Sequence, residues 1–122
     1  MNPKKILIIE DESDILKVLR MRFQQDGWEV FTAEDGTVGK KLALEKDISV
    51  VLLDLILPEE NGFDVLEFMR KEPKLKNVPV IVVSNIGGDE DIEKAMGMGA
   101  NAYFVKTKHR IVDIIERAQS YL

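Results

Sequence analysis

The 122 residues predict one α/β domain, a parallel sheet with helices on both faces. Two observations carry that prediction. Five short apolar runs alternate with five amphipathic stretches, and such β-α alternation builds a parallel sheet through right-handed crossovers. The runs are also continuously apolar rather than alternating, as strands buried on both faces are. The length suits one domain, 1–122, with one proper core.

The first run, Lys5-Ile6-Leu7-Ile8-Ile9, reads as a buried strand ending at Glu10-Asp11. A helix is expected from Ser13 to Asp26, with Leu16, Leu19 and Phe23 at helical spacing and Gly27 as its stop. Trp28 to Thr32 is short and half polar, which suits an edge strand, and a second helix follows from Asp35 to Lys46. Ser49-Val50-Val51-Leu52-Leu53 is the most apolar run and reads as a central strand ending at Asp54. Pro58-Glu59-Glu60-Asn61-Gly62 is a turn cluster. The third helix, Phe63 to Lys71, carries Val65, Leu66 and Met69. Pro79 to Val83 is the fourth strand, with proline only at its first position, and it ends at Ser84. Asp89 to Gly97 is a short helix with Ile92, Ala95 and Met96 on one face, and Met96 and Met98 read as packing residues. Asn101 to Val105 is the fifth strand, ending at Lys106, and Arg110 to Leu122 is the last helix, with Ile111, Ile114, Ile115 and Ala118 inward.

Composition narrows the function. Apolar residues make up 45% and charged residues 32%, which describes a globular chain. No apolar run approaches the roughly 20 residues that span a bilayer, so no membrane association is expected. The four-residue run after Met1-Asn2-Pro3-Lys4-Lys5 is shorter than a signal peptide requires, which points to the cytoplasm. The absence of cysteine excludes disulfides and thiolate metal sites. A net charge of −5 argues against direct nucleic-acid binding. The one histidine, His109, cannot build a histidine-rich metal site and reads as solvated.

Parallel sheets of this kind bind ligands outside the carboxyl ends of their strands, where the strand order reverses. Those ends carry Glu10 and Asp11, Asp54, Ser84 and Lys106. In a flavodoxin-like order 2-1-3-4-5, the first and third strands are neighbours. Glu10, Asp11 and Asp54 then converge in one acidic pocket, with Ser84 and Lys106 on its other side. Packed carboxylates repel one another and invite a divalent cation, and an all-oxygen donor set favours a hard ion such as Mg²⁺. Each residue alone has a plainer reading: Asp11 or Ser13 as a cap of the first helix, Ser84 as a turn hydroxyl, Lys106 as a surface charge.

Taken together, the pattern resembles the receiver domain of bacterial two-component response regulators, over Lys4 to Leu122. The acidic pair is Glu10-Asp11. Asp54 is followed by Leu57-Pro58 and Asn61-Gly62, Ser84 is the hydroxyl residue, and Gly99-Ala100-Asn101-Ala102-Tyr103-Phe104-Val105-Lys106 leads through an aromatic to the lysine. The resemblance implies that Asp54 is the phosphoacceptor. It implies that Asp11, Asp54 and the backbone carbonyl of Ile56 bind Mg²⁺ directly and Glu10 through water. It makes Asp54, Lys106 and Ser84 the catalytic set, and Ser84 and Tyr103 the switch pair. The implied partners are a sensor histidine kinase or phosphotransfer protein and a downstream target or effector domain. Such a chain modifies itself and is not a turnover enzyme.

The sequence departs from that pattern in three places. Thr107 replaces the usual proline after Lys106, so a trans bond is expected there. Asn85 follows Ser84 where a small residue is usual, and Ile56 and Ile86 flank the pocket where fast-cycling receivers carry polar groups. The rival readings fit less well. A pseudo-receiver, acting as a phosphorylation-independent interaction module, should have lost part of the acid–Asp–Lys set. A flavin carrier would meet repulsion from Glu10-Asp11-Glu12, and an aspartyl phosphatase would want an acid where Ile56 stands.

Overall fold

The structure, a computed structural model, describes residues 3–122; Met1 and Asn2, where the reading of the N-terminus begins, lie outside the described residues. Five strands and five helices alternate: β1 (Lys5–Ile9), α1 (Ser13–Gln25), β2 (Glu29–Ala33), α2 (Gly36–Glu45), β3 (Val50–Leu53), α3 (Gly62–Lys71), β4 (Val80–Ser84), α4 (Asp89–Gly97), β5 (Ala102–Val105) and α5 (Ile111–Gln119). The sheet is wholly parallel, in the flavodoxin-like order β2-β1-β3-β4-β5.

The continuous apolar runs follow from the two layers that cover the sheet. Leu7 and Ile9 of β1 enter one core with Val51, Leu53, Ala43, Val65, Leu66, Met69 and Ala95, beneath α2, α3 and α4. Ile6 and Ile8 enter the other core with Leu52, Ile81, Leu16, Leu19, Phe23, Ile114 and Ile115, beneath α1 and α5. Alternate side chains of a strand point to opposite faces, so a strand covered on both sides has no polar position to spare. β2 lies at the edge of the sheet, as its mixed composition predicts, and only Ala33 in it is buried.

The differences from expectation lie at the element ends. Trp28 is not in β2; it turns under Phe23, edge to face at 5.4 Å, after Gly27 leaves α1 at φ +89. Ala33 joins β2 because it pairs with Ile9. Asp35 stands outside α2 as its cap, accepting from the Val38 amide at 2.8 Å. Asn61 does the same for α3 through the Phe63 amide at 2.8 Å, so that helix starts one residue earlier, at Gly62. Neither Asp11 nor Ser13 caps α1. The cap position is Glu12, extended at φ −76 and ψ 106, and its side chain makes no capping bond. Met98 packs against the core, but Met96 is 43% exposed. Among the described residues every peptide bond is trans, Lys106–Thr107 included, and no helix is long and apolar enough to cross a membrane.

Candidate functional site

The strand order sets the carboxyl ends of β1 and β3 side by side, with Ile9 opposite Leu53. The residues that follow, Glu10 and Asp54, are therefore adjacent as well as buried, at 2% and 3% exposure. β4 ends beside them at Ser84, which is fully buried. β5 pairs with β4 so that Ser84 lies opposite Val105, which brings Lys106 to the same end of the sheet.

Lys106 organises the site. Its Nζ lies 2.7 Å from Glu10 Oε1, 2.8 Å from Asp54 Oδ2 and 3.1 Å from Glu12 Oε1. The second oxygen of Asp54 accepts from the Ile56 amide at 3.0 Å. The second oxygen of Glu10 accepts from the Glu12 amide at 3.1 Å. Gly62 makes room for this arrangement: a Cβ there would stand 2.4 Å from Leu55 Cα and 2.5 Å from the Asp54 carbonyl oxygen. Only glycine lets the start of α3 close so tightly onto the chain leaving β3.

The charges do not balance. One ammonium faces two buried carboxylates and the half-exposed Glu12. Burial pushes Glu10 up to about 7; the hydrogen bonds from Lys106 and the Glu12 amide oppose that rise, and the Asp54 charge adds to it. Burial works against the Lys106 ammonium too, but its bonds to Asp54 and Glu10, and their charges, outweigh burial and raise it above the usual lysine range. The pocket is thus short of positive charge. Oxygens of Glu10, Glu12 and Asp54 lie within 4.8 Å of one another, the only such group of acids among the described residues, and this all-oxygen set suits a hard divalent cation.

Asp11 is exposed and lies outside that group; Glu12, one residue on, lies within it. Ile56 is 55% exposed and shares a surface depression with Ile86 and Glu59 beside Asp54. The Ser84 hydroxyl accepts from the Ile86 amide at 3.4 Å, and the Ile86 carbonyl accepts from the Tyr103 hydroxyl at 2.6 Å. One residue therefore ties both members of the expected switch pair. Burial, aided by the charges of Asp91 and Asp54, raises the Tyr103 phenol, which keeps it a donor. His109, though exposed, is not simply solvated: its Nδ1 accepts from the Val105 amide at 3.0 Å and its ring stands edge to face on Phe104. Asn85 Nδ2 donates to Glu12 Oε1 at 3.4 Å. Sequence reasoning missed Glu12 and its tie to Asn85. The signal was a third consecutive acid at the position where a helix cap is wanted.

The family described as response regulator receiver domain matches residues 6–118. The cell cycle response regulator CtrA of Brucella ovis is 32% identical over 96% of this chain and 52% of its own length. The chain thus spans about half the length of such curated relatives. A CheY-like receiver domain protein from Methanospirillum hungatei is 25% identical, with a TM-score of 0.89 over 98% of this chain and 93% of its own. The phosphorylated cyanobacterial phytochrome response regulator RcpA is 25% identical, with a TM-score of 0.82 over 98% and 91%.

Proposed function

The chain belongs to the response regulator receiver domain family, and from that premise we propose that Asp54 accepts a phosphoryl group from the phosphohistidine of a sensor histidine kinase or phosphotransfer protein, in a Mg²⁺-dependent reaction. The observation that carries this reading is the Asp54 carboxylate, buried at the end of a central strand with the Lys106 ammonium 2.8 Å from Oδ2. That RcpA is known in a phosphorylated form agrees with it.

Mg²⁺ fits the residues present, because the donors are all oxygens and the pocket lacks positive charge. By the family resemblance, Asp54, Asp11 and the Ile56 carbonyl would hold it directly and Glu10 through water. Bound there, the ion would neutralise charge on the transferring oxygens. An Asp54 oxygen forms the bond to phosphorus as the phosphorus–nitrogen bond to the donor imidazole breaks, and the electron pair leaves with the nitrogen. Asp54 loses its negative charge in becoming an acyl phosphate, so Lys106 transfers its hydrogen bond to a phosphoryl oxygen. The Ser84 hydroxyl turns from accepting the Ile86 amide to donating to another phosphoryl oxygen. The new bond draws the β4–α4 connection inward, and through the chain it moves Ile86 and the Tyr103 bonded to it, so that the face made by α4, β5 and α5 changes for a downstream target or effector domain.

In this reading the chain is a cytoplasmic switch that catalyses its own modification, not a turnover enzyme, and it touches neither nucleic acid nor membrane directly. The test is intact mass after incubation with a small acyl phosphate and Mg²⁺, on the native chain and on Asp54→Ala. A single acid-labile phosphoryl on the native chain, absent from the variant and from a chelator control, is expected. An unmodified native chain, or a variant labelled as fully as the native one, would refute the proposal and leave a phosphorylation-independent interaction module.

A further inference from the structure

Glu12 belongs to the acid group at the pocket but is not among the Mg²⁺ ligands assigned above, and its side chain is committed elsewhere. A short polar side chain such as Asp at a helix cap bonds the free amides of the first turn, which the longer Glu does less readily. Glu12 holds the cap position of α1, but its carboxylate makes no such bond. It reaches instead across the mouth of the pocket, to Lys106 Nζ at 3.1 Å on the β5–α5 connection and to Asn85 Nδ2 at 3.4 Å on the β4–α4 connection. Three loops that must rearrange around a phosphoryl group are thereby joined over Asp54 through one carboxylate.

An ammonium has three donors. Those of Lys106 face Glu10, Asp54 and Glu12, at 2.7, 2.8 and 3.1 Å. Any phosphoryl oxygen that Lys106 is to hold must displace one of these. While the donor approaches, Asp54 still carries its charge, and the side chains of Glu10 and Asp54 are only 3% exposed, so separating either from Lys106 at that stage strands a buried polar group. The Glu12 side chain is 47% exposed and makes the longest of the three contacts, so water can take over its solvation. It also carries a negative charge beside the path of an anionic donor.

We propose that Glu12 is a positioning residue that holds Lys106 in a resting arrangement and competes with the phosphoryl oxygens for it, so that phosphoryl entry requires Glu12 to swing out to solvent. Asn85 restrains Glu12 in the competing position. This rests on Asp54 being the phosphoacceptor.

The test compares the labelling rate of the native chain with Glu12→Gln, Glu12→Asp and Asn85→Ala, using acetyl phosphate and Mg²⁺. Glu12 is exposed, so the variants should fold, which circular dichroism melting checks. Removing one charge and one competing contact is expected to speed labelling of Glu12→Gln about three- to tenfold. Glu12→Asp keeps the charge but withdraws the carboxylate by one methylene; at least half of the gain should persist there. Asn85→Ala, which frees Glu12 without removing it, should give a smaller gain in the same direction. Mg²⁺ affinity by calorimetry should stay within about twofold for Glu12→Gln, since Glu12 acts through Lys106. Slower labelling together with weakened Mg²⁺ binding in Glu12→Gln would overturn the proposal and make Glu12 a metal ligand. A gain in Glu12→Gln but none in Glu12→Asp would also overturn it, leaving only general repulsion. Native labelling with unchanged variants sinks this inference alone; an unlabelled native chain sinks the phosphoacceptor reading beneath it.

Discussion

Replacing Glu10 by Gln isolates the cost of keeping a buried carboxylate charged. Burial lifts the Glu10 pKa from 4.5 to about 7. The native chain therefore keeps its proton over a range in which the unfolded chain has lost it. The resulting stabilisation is fully present below 4.5 and is lost as pH rises through about 7. At about 1.4 kcal/mol per pKa unit, the loss comes to about 3 kcal/mol. Gln is neutral throughout and keeps a carbonyl able to accept from Lys106, but its amide nitrogen cannot accept from the Glu12 amide as the second Glu10 oxygen does, which costs it a constant, pH-independent amount. Without metal, the stability of Glu10→Gln relative to the native chain should rise by about 3 kcal/mol between about pH 4 and about pH 8. Urea unfolding in chelator, stepped across that range, measures the difference. Adding Mg²⁺ should narrow the gap at the alkaline end, because a bound cation favours the ionised carboxylate. Parallel stability curves for the two proteins would refute the assignment of a raised Glu10 and, with it, the claim that the pocket lacks positive charge.

Three further outcomes follow from the same geometry. Gly62→Ala drives a methyl into the Leu55 and Asp54 backbone and should cost about 2–3 kcal/mol in urea unfolding; a neutral result would mean that the start of α3 shifts freely. Tyr103→Phe removes the 2.6 Å bond to Ile86, should cost about 1 kcal/mol and should move the amide resonances of Ile86 and Gly87, whereas shifts confined to β5 would separate Tyr103 from that loop. The acyl phosphate should decay slowly, since Ile56 and Ile86, whose amides bond Asp54 and Ser84 and whose side chains share one surface depression, cannot position a water; Ile56→Asn with Ile86→Glu should speed its loss about tenfold or more, and an unchanged decay would free these side chains of any role.

How much of this could be read from the sequence depends on the kind of contact. The fold was legible because a strand buried on both faces must be apolar throughout, as Ile6 to Ile9 are, and because five such runs spaced by amphipathic stretches leave few topologies. Glu10, Asp54, Ser84 and Lys106 were legible because each is the polar residue at which a buried strand stops, and the strand order alone then brings them together. The ends of elements were less so. Whether Trp28 extends β2 or folds under Phe23 is decided by tertiary packing, which no local pattern encodes. The same holds for the side chains of one acidic run. Glu10, Asp11 and Glu12 are near-identical as sequence, yet the first is buried, the second faces solvent and the third spans the pocket mouth. Three successive side chains leaving a strand for a helix point in three directions, and which of them meets Lys106 depends on the turn between.

The link between pocket and surface illustrates why such detail matters more than composition. Residue 86 was noted in the sequence only for its isoleucine side chain. Its backbone is what joins the site to the exterior: the amide is held by the Ser84 hydroxyl and the carbonyl by the Tyr103 hydroxyl. The amide and the carbonyl belong to successive peptide planes that meet at the Ile86 Cα, so a movement of the loop at Ser84 reaches the Tyr103 bond across a single residue. The amide contact, at 3.4 Å, is long and readily given up, whereas the carbonyl contact, at 2.6 Å, is short. On the proposed reading, the bond released when Ser84 turns to a phosphoryl oxygen is the weaker of the two, and Tyr103 stays attached to the loop as the loop moves. Ile86 would thus carry the motion of the pocket outward through its main chain, whichever side chain stood at that position.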